Sequence, residues 1–239
     1  TGATPIQNVG AYGQDVAQTI TGVRVYDRER GVTEELPATA LGFAYRTSAL
    51  RGRDRLIVLQ VTFALRESNV SRPLRYAELA RAVGAETAPL ADVREAVLAL
   101  RRGKGMVVDA ADPDSVSAGS FFTNPILDAG AFEALAARAG EPPPRFPEAD
   151  GRVKTSAAWL IERAGFHRGD GRGRVGISTK HSLALVNRGG ATTAELVGLA
   201  REIAAGVRER FGVELHPEPI FVGHSWYPRA RFADPEGQL

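Results

Sequence analysis

The stretch SAGSFFTNP, residues 117 to 125, places a hydroxyl group in an unusual position. Ser120 follows a glycine and precedes two phenylalanines, and a buried hydroxyl without a partner costs free energy. Such a serine either bonds a nearby backbone group in a turn or takes part in chemistry. From this stretch alone, the turn is the more common outcome.

Two charged residues elsewhere in the chain carry groups that often hold a substrate. Arg46 lies in FAYRTS, and a guanidinium can grip a carboxylate with two parallel hydrogen bonds. Glu218 lies between two prolines in HPEPIF. The ordinary explanations are a surface ion pair for Arg46 and an exposed loop position for Glu218. Neither residue identifies a function by itself.

The composition predicts a globular protein with a small anionic ligand. The chain has 239 residues, 44% of them hydrophobic, and its 30 basic residues nearly balance 28 acidic ones. This balance is too even for a surface that coats nucleic acid, although a pI near 9.1 allows a local basic pocket. No cysteine, histidine pair or long apolar run suggests a disulfide, a metal site or a membrane span, so we expect a cytoplasmic location.

The sequence predicts an α+β fold. Strand-like runs occur at residues 20–27 and 55–65, and the alternation in VGISTKHSLALVN predicts one strand over 175–187. Three helices are predicted from their caps. The first has a capping box at Asp92 and Glu95, and Ser156 caps the second. The third has a capping box at Thr192 and Glu195 and stops at Gly212. The proline-rich residues 141–151 form a loop, and HPEPIFVG leads into a short strand. Strands and helices do not alternate strictly, which favours α+β over α/β.

Seven segments in a fixed order resemble a known family. They are PIQNVGAYGQDV, GFAYRTS, RPLRYAEL, LRRGKGMV, SAGSFFTNPIL, KTSAAWLIERAGF and HPEPIFVG. The chain resembles UDP-N-acetylenolpyruvoylglucosamine reductase (MurB), a flavoenzyme family of bacterial peptidoglycan precursor synthesis, over nearly its whole length. PIQNVGAYG and GSFFTNP are the most specific segments, and RPLRYAEL resembles the subtype with a tyrosine-bearing loop over the substrate.

The resemblance implies a domain organisation. Residues 1–105 would be the second lobe of a two-lobed FAD-binding domain, residues 106–210 an α+β substrate-binding domain, and residues 211–239 a segment that returns to the FAD-binding region. The sequence opens without a methionine, inside a glycine-rich loop. We therefore expect it to be a trimmed piece that lacks the family's N-terminal FAD lobe.

The resemblance also assigns roles to residues. Ser120 would donate a proton to the substrate carbon, Arg46 would hold the substrate carboxylate, and Glu218 would act beside the same centre. We expect the three side chains to converge on one unsaturated acid. Tyr76, Lys104 and Asn124 would contact the diphosphate of a UDP-sugar substrate. The implied cofactors are FAD and NADPH, and the FAD-binding residues would be Gln7, Asn8, Gly10, Ala11, Tyr12 and Arg101.

Two other functions are compatible with the residues. One is a different FAD-dependent oxidoreductase of the same architecture. The other is a non-catalytic module that binds nucleic acid through RRGK and through HRGDGRGR at 167–174. Basic segments of that kind usually belong to solvated loops, and no RNA-binding aromatic motif accompanies them. A third possibility is a pseudo-enzyme that has lost its flavin lobe. The sequence contains no indication of oligomeric state.

Overall fold

The computed structural model describes residues 2–227 and contains two compact units. The chain divides after Leu100, in the last turn of a helix. Each unit contains both helices and antiparallel sheets, so the predicted α+β class is confirmed. Among the residues described, no helix combines the length and apolar character needed to cross a membrane.

The first unit is built on a three-stranded antiparallel sheet with the order β4-β3-β5. Its elements are β1 (Gly10–Ala11), β2 (Gln14–Asp15), β3 (Ile20–Asp27), β4 (Val32–Pro37), β5 (Leu56–Phe63), α1 (Ala77–Val83) and α2 (Leu90–Gly103). The central strand β3 alternates buried and exposed residues, and its buried face supplies Ile20, Val23 and Val25 to a small core. A short hairpin, in which the two-residue strands β1 and β2 pair, lies outside this sheet.

The second unit has a larger core between helices and a four-stranded sheet of order β10-β11-β12-β6. Its elements are β6 (Ser117–Ser120), β7 (Ile126–Leu127), α3 (Ala129–Ala139), β8 (Phe146–Pro147), β9 (Val153–Lys154), α4 (Ala157–Arg163), β10 (Gly171–Arg172), β11 (Val175–Ile177), β12 (Ala184–Asn187) and α5 (Thr193–Phe211). Helix α5 lays Ala200, Ile203 and Val207 into the core, where all three are fully buried.

Two of the three predicted helix starts are confirmed by their caps. The Ser156 hydroxyl accepts the Trp159 N–H, and Thr192 and Glu195 form a reciprocal capping box. Helix α5 ends at Gly212, whose φ of 71° suits a residue without a side chain. The start at Asp92 is wrong, because α2 begins at Leu90 and Asp92 lies in its first turn.

The single strand predicted over 175–187 is also wrong. The structure has two antiparallel strands, β11 and β12, joined by a tight connection. The Ser178 hydroxyl accepts the N–H groups of Lys180 and His181, and this side-chain bonding replaces the ladder bonds that a continuous strand would make. The segment HPEPIFVG forms one isolated bridge, between Phe122 and Pro217, rather than a strand.

The described residues after 210 pack within the second unit. Val213 and Leu215 belong to its core, and Phe221 and Trp226 lie against it. The expected return of residues 211–239 to the FAD-binding region stays a prediction. The last part of that segment, residues 228–239, lies outside the described residues. The assignment of residues 1–105 and 106–210 to named lobes stays a prediction.

Candidate functional site

Ser120 is the last residue of β6, and Ala184 on β12 lies opposite it. Directly after it, Phe121 and Phe122 enter the core with 3% and 1% of their surface exposed. Their rings pack on each other and on Trp226. The two phenylalanines therefore anchor the strand end, and Ser120 stays at the half-buried surface.

The sequence predicted that the Ser120 hydroxyl could bond a backbone group in a turn, but the serine that does so is Ser117. The Ser117 hydroxyl accepts the Gly119 N–H at 3.2 Å, and Gly119 has a φ of 80°. In the part of the chain that the structure describes, no hydrogen bond engages the Ser120 hydroxyl. The local structural explanation therefore applies to Ser117, and the Ser120 hydroxyl is available to a ligand.

Glu218 lies beside Ser120 although the two residues are far apart in the chain. The Glu218 N–H donates to the Phe121 carbonyl at 2.8 Å, and Phe122 pairs with Pro217. The Thr123 N–H extends this contact by donating to the His216 carbonyl at 3.1 Å. The backbone segments that carry two of the three predicted catalytic residues therefore lie next to each other within the second unit.

A pair of acidic residues shortly before β6 braces the connection between β11 and β12. The buried Asp114 carboxylate accepts the N–H and the hydroxyl of Thr179. Asp112 forms an ion pair with Lys180 at 2.8 Å, which lowers the pKa of Asp112 and raises that of Lys180. Sequence reasoning missed this brace because its partners are distant in the chain.

Two of the residues predicted to contact the diphosphate, Lys104 and Asn124, lie in the second unit. The Asn124 Oδ1 accepts the N–H of Ala157, the first residue of α4, at 3.0 Å. Lys104 is half-buried in the turn after α2, and the Arg101 guanidinium supports this turn by donating to the Met106 carbonyl at 3.2 Å. The Met106 sulfur lies 4.0 Å from where a Cβ on Gly119 would be, so the turn runs beside β6.

The remaining predicted residues lie in the first unit, around the β1–β2 hairpin. Arg46 donates to the Gly10 carbonyl at 2.6 Å and lies 3.4 Å from Asp15. The Asn8 amide donates to the Ala44 carbonyl and accepts the Ala17 N–H, so both ends of this buried amide bond within the unit. Arg46 and the predicted cofactor loop are therefore connected directly.

Tyr12 and Tyr76 meet in the same unit. Their rings pack edge to face with centroids 5.4 Å apart. Tyr12 and Gly13, at the tip of the hairpin, have φ values of 51° and 79°, as a two-residue primed turn requires. Ala11 on this hairpin is exposed, and Gln7 precedes it in a half-buried turn. The convergence of Arg46 with Ser120 and Glu218 stays a prediction, because Arg46 belongs to the first unit and the other two to the second.

The basic segment 167–174 does not present an open cationic surface. Arg172 pairs with Glu202, Arg174 with Glu195 at 2.9 Å, and Arg168 with Glu162 at 3.9 Å. Because acidic side chains offset these charges, the segment offers little free positive charge to a phosphate backbone. This observation disfavours the nucleic-acid alternative.

The fold and the site define a class: an α+β protein of two units, whose second unit holds the backbone of Glu218 against the buried phenylalanines that follow Ser120. Residues 112–222 match the family described as UDP-N-acetylenolpyruvoylglucosamine reductase, C-terminal domain. A reductase of that name from Thermobifida fusca is 62% identical over 93% of this chain, and one from Salinispora arenicola is 58% identical over 93%. Residues 112–222 therefore contain the C-terminal domain of the UDP-N-acetylenolpyruvoylglucosamine reductase (MurB) family, and the chain is similar to reductases of that name over 93% of its length.

The chain spans 65% and 63% of the lengths of these two relatives. A crystal structure of the reductase from Thermus caldophilus matches with a TM-score of 0.55 and 22% identity. The match covers 91% of this chain and 58% of that one, and at this identity it supports the fold alone.

Proposed function

We propose that this chain carries part of the machinery that reduces the enolpyruvyl group of UDP-N-acetylglucosamine enolpyruvate to UDP-N-acetylmuramate, with NADPH as reductant. The names of the relatives support this reaction. The structural observation that carries it is the bond from the Glu218 N–H to the Phe121 carbonyl, since it holds the backbone of Glu218 against the residue that follows Ser120. The proposed role belongs to peptidoglycan precursor synthesis, and a cytoplasmic location stays a prediction from composition.

The hairpin residues fit a flat cofactor such as FAD. Ala11 and Gly13 are exposed and carry almost no side chain, so a ring could approach the backbone there. Gly10 has an additional, internal reason to be glycine, because a Cβ would lie 1.7 Å from the Asp15 carboxylate. Gln7, Asn8, Gly10, Ala11 and Tyr12 would hold the cofactor, with Arg101 as a further proposed contact. The chemistry that FAD supplies when bound is hydride transfer.

Ser120 would complete the reduction by giving its hydroxyl proton to the substrate carbon. A serine hydroxyl is a weak acid, but a carbon with carbanion character beside a carboxylate is a strong base. Glu218 would position or polarise the same group, and Arg46 would hold the carboxylate with two charge-assisted bonds. The buried Phe121 and Phe122 would limit the access of water to the reacting centre.

The diphosphate of the UDP-sugar would be bound by a cation and neutral donors. Lys104 supplies an ammonium group, Asn124 an amide and Tyr76 a phenol, which together match the needs of two phosphate groups. The Asn124 oxygen is bonded to the start of α4, so this residue would use its amide nitrogen toward a phosphate.

Replacing Ser120 with alanine tests the proposal. We expect Ser120→Ala to slow reduction of the enolpyruvyl compound by roughly 10²- to 10⁴-fold, the usual contribution of a positioned general acid. Bleaching of the flavin absorbance by NADPH should be nearly unchanged. Stopped-flow measurement of the two half-reactions in flavin-containing protein separates these effects.

Ser117→Ala is the matched control, because it removes a hydroxyl of the same strand that bonds only the Gly119 N–H in the described part of the chain. It should leave both half-reactions close to those of the wild type. Equal loss of both half-reactions in Ser120→Ala would show that Ser120 is structural. Failure of the flavin-containing wild-type protein to consume NADPH with this substrate would defeat the proposed function.

A further inference from the structure

The first unit contains a cavity of about 950 Å³. The hairpin residues Ala11 and Tyr12 line one side, and the segment 64–75 lines the other. Apolar side chains from α1 and α2 complete the wall: Leu79, Leu90, Val93 and Val97. Its volume lies within the range of roughly 300–1,000 Å³ that is common for small-molecule sites.

The charge of this lining is positive. Arg66, Arg72 and Arg75 line the cavity, and Asp15 is the acidic side chain among its described lining residues. Asp15 already lies 3.4 Å from the Arg46 guanidinium. Across residues 2–227, none of the three arginines has a side-chain hydrogen bond or an ion pair. Three guanidinium groups therefore remain available to an anion, and guanidinium suits phosphate because it can form two parallel bonds.

The segment that carries these arginines has an ordered backbone. The Ser71 N–H donates to the Ala88 carbonyl at 2.9 Å, and the Leu74 N–H donates to the Glu86 carbonyl at 2.7 Å. Val70 forms a bridge with Pro89. Arg72 and Arg75 thus extend from a fixed backbone, which lowers the entropy lost when they bind a ligand.

An aromatic pair lies next to the arginines. Tyr76 follows Arg75 directly, and its ring packs on Tyr12, which lines the cavity. Aromatic rings beside guanidinium groups suit a nucleotide, because rings contact the planar or sugar part while cations bind phosphate oxygens. A simple anion would leave the apolar wall of the cavity unused.

We propose that Arg72 and Arg75 bind the diphosphate of a nucleotide in this cavity. The inference rests on the proposed function for its ligand class, since a UDP-sugar and NADPH both contain a diphosphate. It adds two arginines of the first unit to the residues that the family resemblance assigns. Arg66 contributes positive charge to the same lining.

The test compares two double variants of the full 239-residue chain. Arg72→Gln/Arg75→Gln removes both proposed ligands, whereas Arg53→Gln/Arg94→Gln removes the same charge from exposed positions that do not line the cavity. Isothermal titration with UDP and separately with NADP⁺, at low and high salt, measures the affinity. Loss of charge-assisted bonds should weaken binding by about tenfold or more in the first variant only.

Each outcome decides the proposal. It is supported if either nucleotide binds the cavity variant more weakly than the control variant, and the nucleotide that loses affinity identifies the source of the diphosphate. Equal affinities in both variants, or a wild-type chain that binds neither nucleotide, overturn it. The two proposals can fail separately. If the cavity variant loses affinity for UDP but the wild type does not reduce the enolpyruvyl compound, this inference stands and the proposed function is defeated. Normal turnover of a cavity variant whose affinities for UDP and NADP⁺ equal those of the control variant would overturn this inference and leave the proposed function standing.

Discussion

Ser120 and Tyr12 lie at the ends of short strands, but the two units hold these strands with different interactions. In the second unit, β6 continues into two phenylalanines that are almost completely buried in a large core. In the first unit, the hairpin is held by the Asn8 amide and by the bond from Arg46 to the Gly10 carbonyl. The core of this unit contains few fully buried side chains.

The difference indicates what each region tolerates. Apolar burial has no directional requirement, so β6 can keep its position while the polar groups at its surface act on a ligand. Hydrogen bonds need both partners, because a buried donor or acceptor that loses its partner costs free energy. We therefore expect volume changes to damage the Ser120 strand most, and changes of single polar atoms to damage the hairpin most.

The largest effect is expected at the aromatic base of Ser120. Phe122→Ala should lower the free energy of unfolding by about 3–5 kcal/mol, because it deletes a fully buried ring and leaves a cavity. Phe146→Ala is the control in the same unit, since Phe146 lies on the edge strand β8 with 50% of its surface exposed. Denaturant titration followed by circular dichroism measures both. Similar losses in the two variants would contradict the assigned role of the buried pair.

Features set by neighbouring residues could be predicted from the sequence. The capping box of Thr192 and Glu195 and the Ser156 cap depend on residues within one turn of each other, and both are present. The strand β4, VTEELP, was missed because charged residues interrupt its apolar pattern and its pairing with β3 supplies the missing signal. The connection between β11 and β12 was hidden because its alternation continues through Ser178.

The candidate site required distant contacts that no local pattern contains. SAGSFFTNP offers two serines, and only the structure shows that Ser117 occupies the turn. The contact of Glu218 with Phe121 and the bond of Asp114 with Thr179 join segments that are far apart in the chain. The arginines at 72 and 75 lie close together in RPLR, but no local pattern shows that both line one cavity.

An intermediate effect is expected in the hairpin unit. Asn8→Ala should lower the free energy of unfolding by about 1–3 kcal/mol, because the Ala17 N–H and the Ala44 carbonyl lose their partner. Asn8 also has a φ of 44°, a conformation that alanine adopts at a cost. Asn8→Gly removes the same amide without that backbone cost. Denaturant titration should therefore order the stabilities as wild type, Asn8→Gly and Asn8→Ala, and equal stabilities would mean that the amide bonds do not hold the hairpin.

The smallest effect concerns two carboxylates, one in each unit. The pKa of Asp27 is lowered from 3.8 to about 2, chiefly by its hydrogen bonds with Arg55. The pKa of Glu195 is lowered from 4.5 to about 2, chiefly by its bonds with the N–H and hydroxyl of Thr192 rather than with Arg174. Because both values lie below those of the unfolded chain, their contribution to stability is present above about pH 4.5 and is lost as the pH falls toward 2.

Removing each arginine separates the two cases. Arg55→Gln should raise the pKa of Asp27 clearly, because it removes the largest cause of the lowered value, and should flatten the acid dependence of stability between pH 4 and pH 2. Arg174→Gln should raise the pKa of Glu195 less, because the two bonds with Thr192 remain. Carboxyl carbon NMR titration of both variants measures the two values. A larger rise of the pKa at Glu195 than at Asp27 would contradict this order of causes. It would show that Arg174, and not Thr192, is the main cause of the lowered pKa of Glu195.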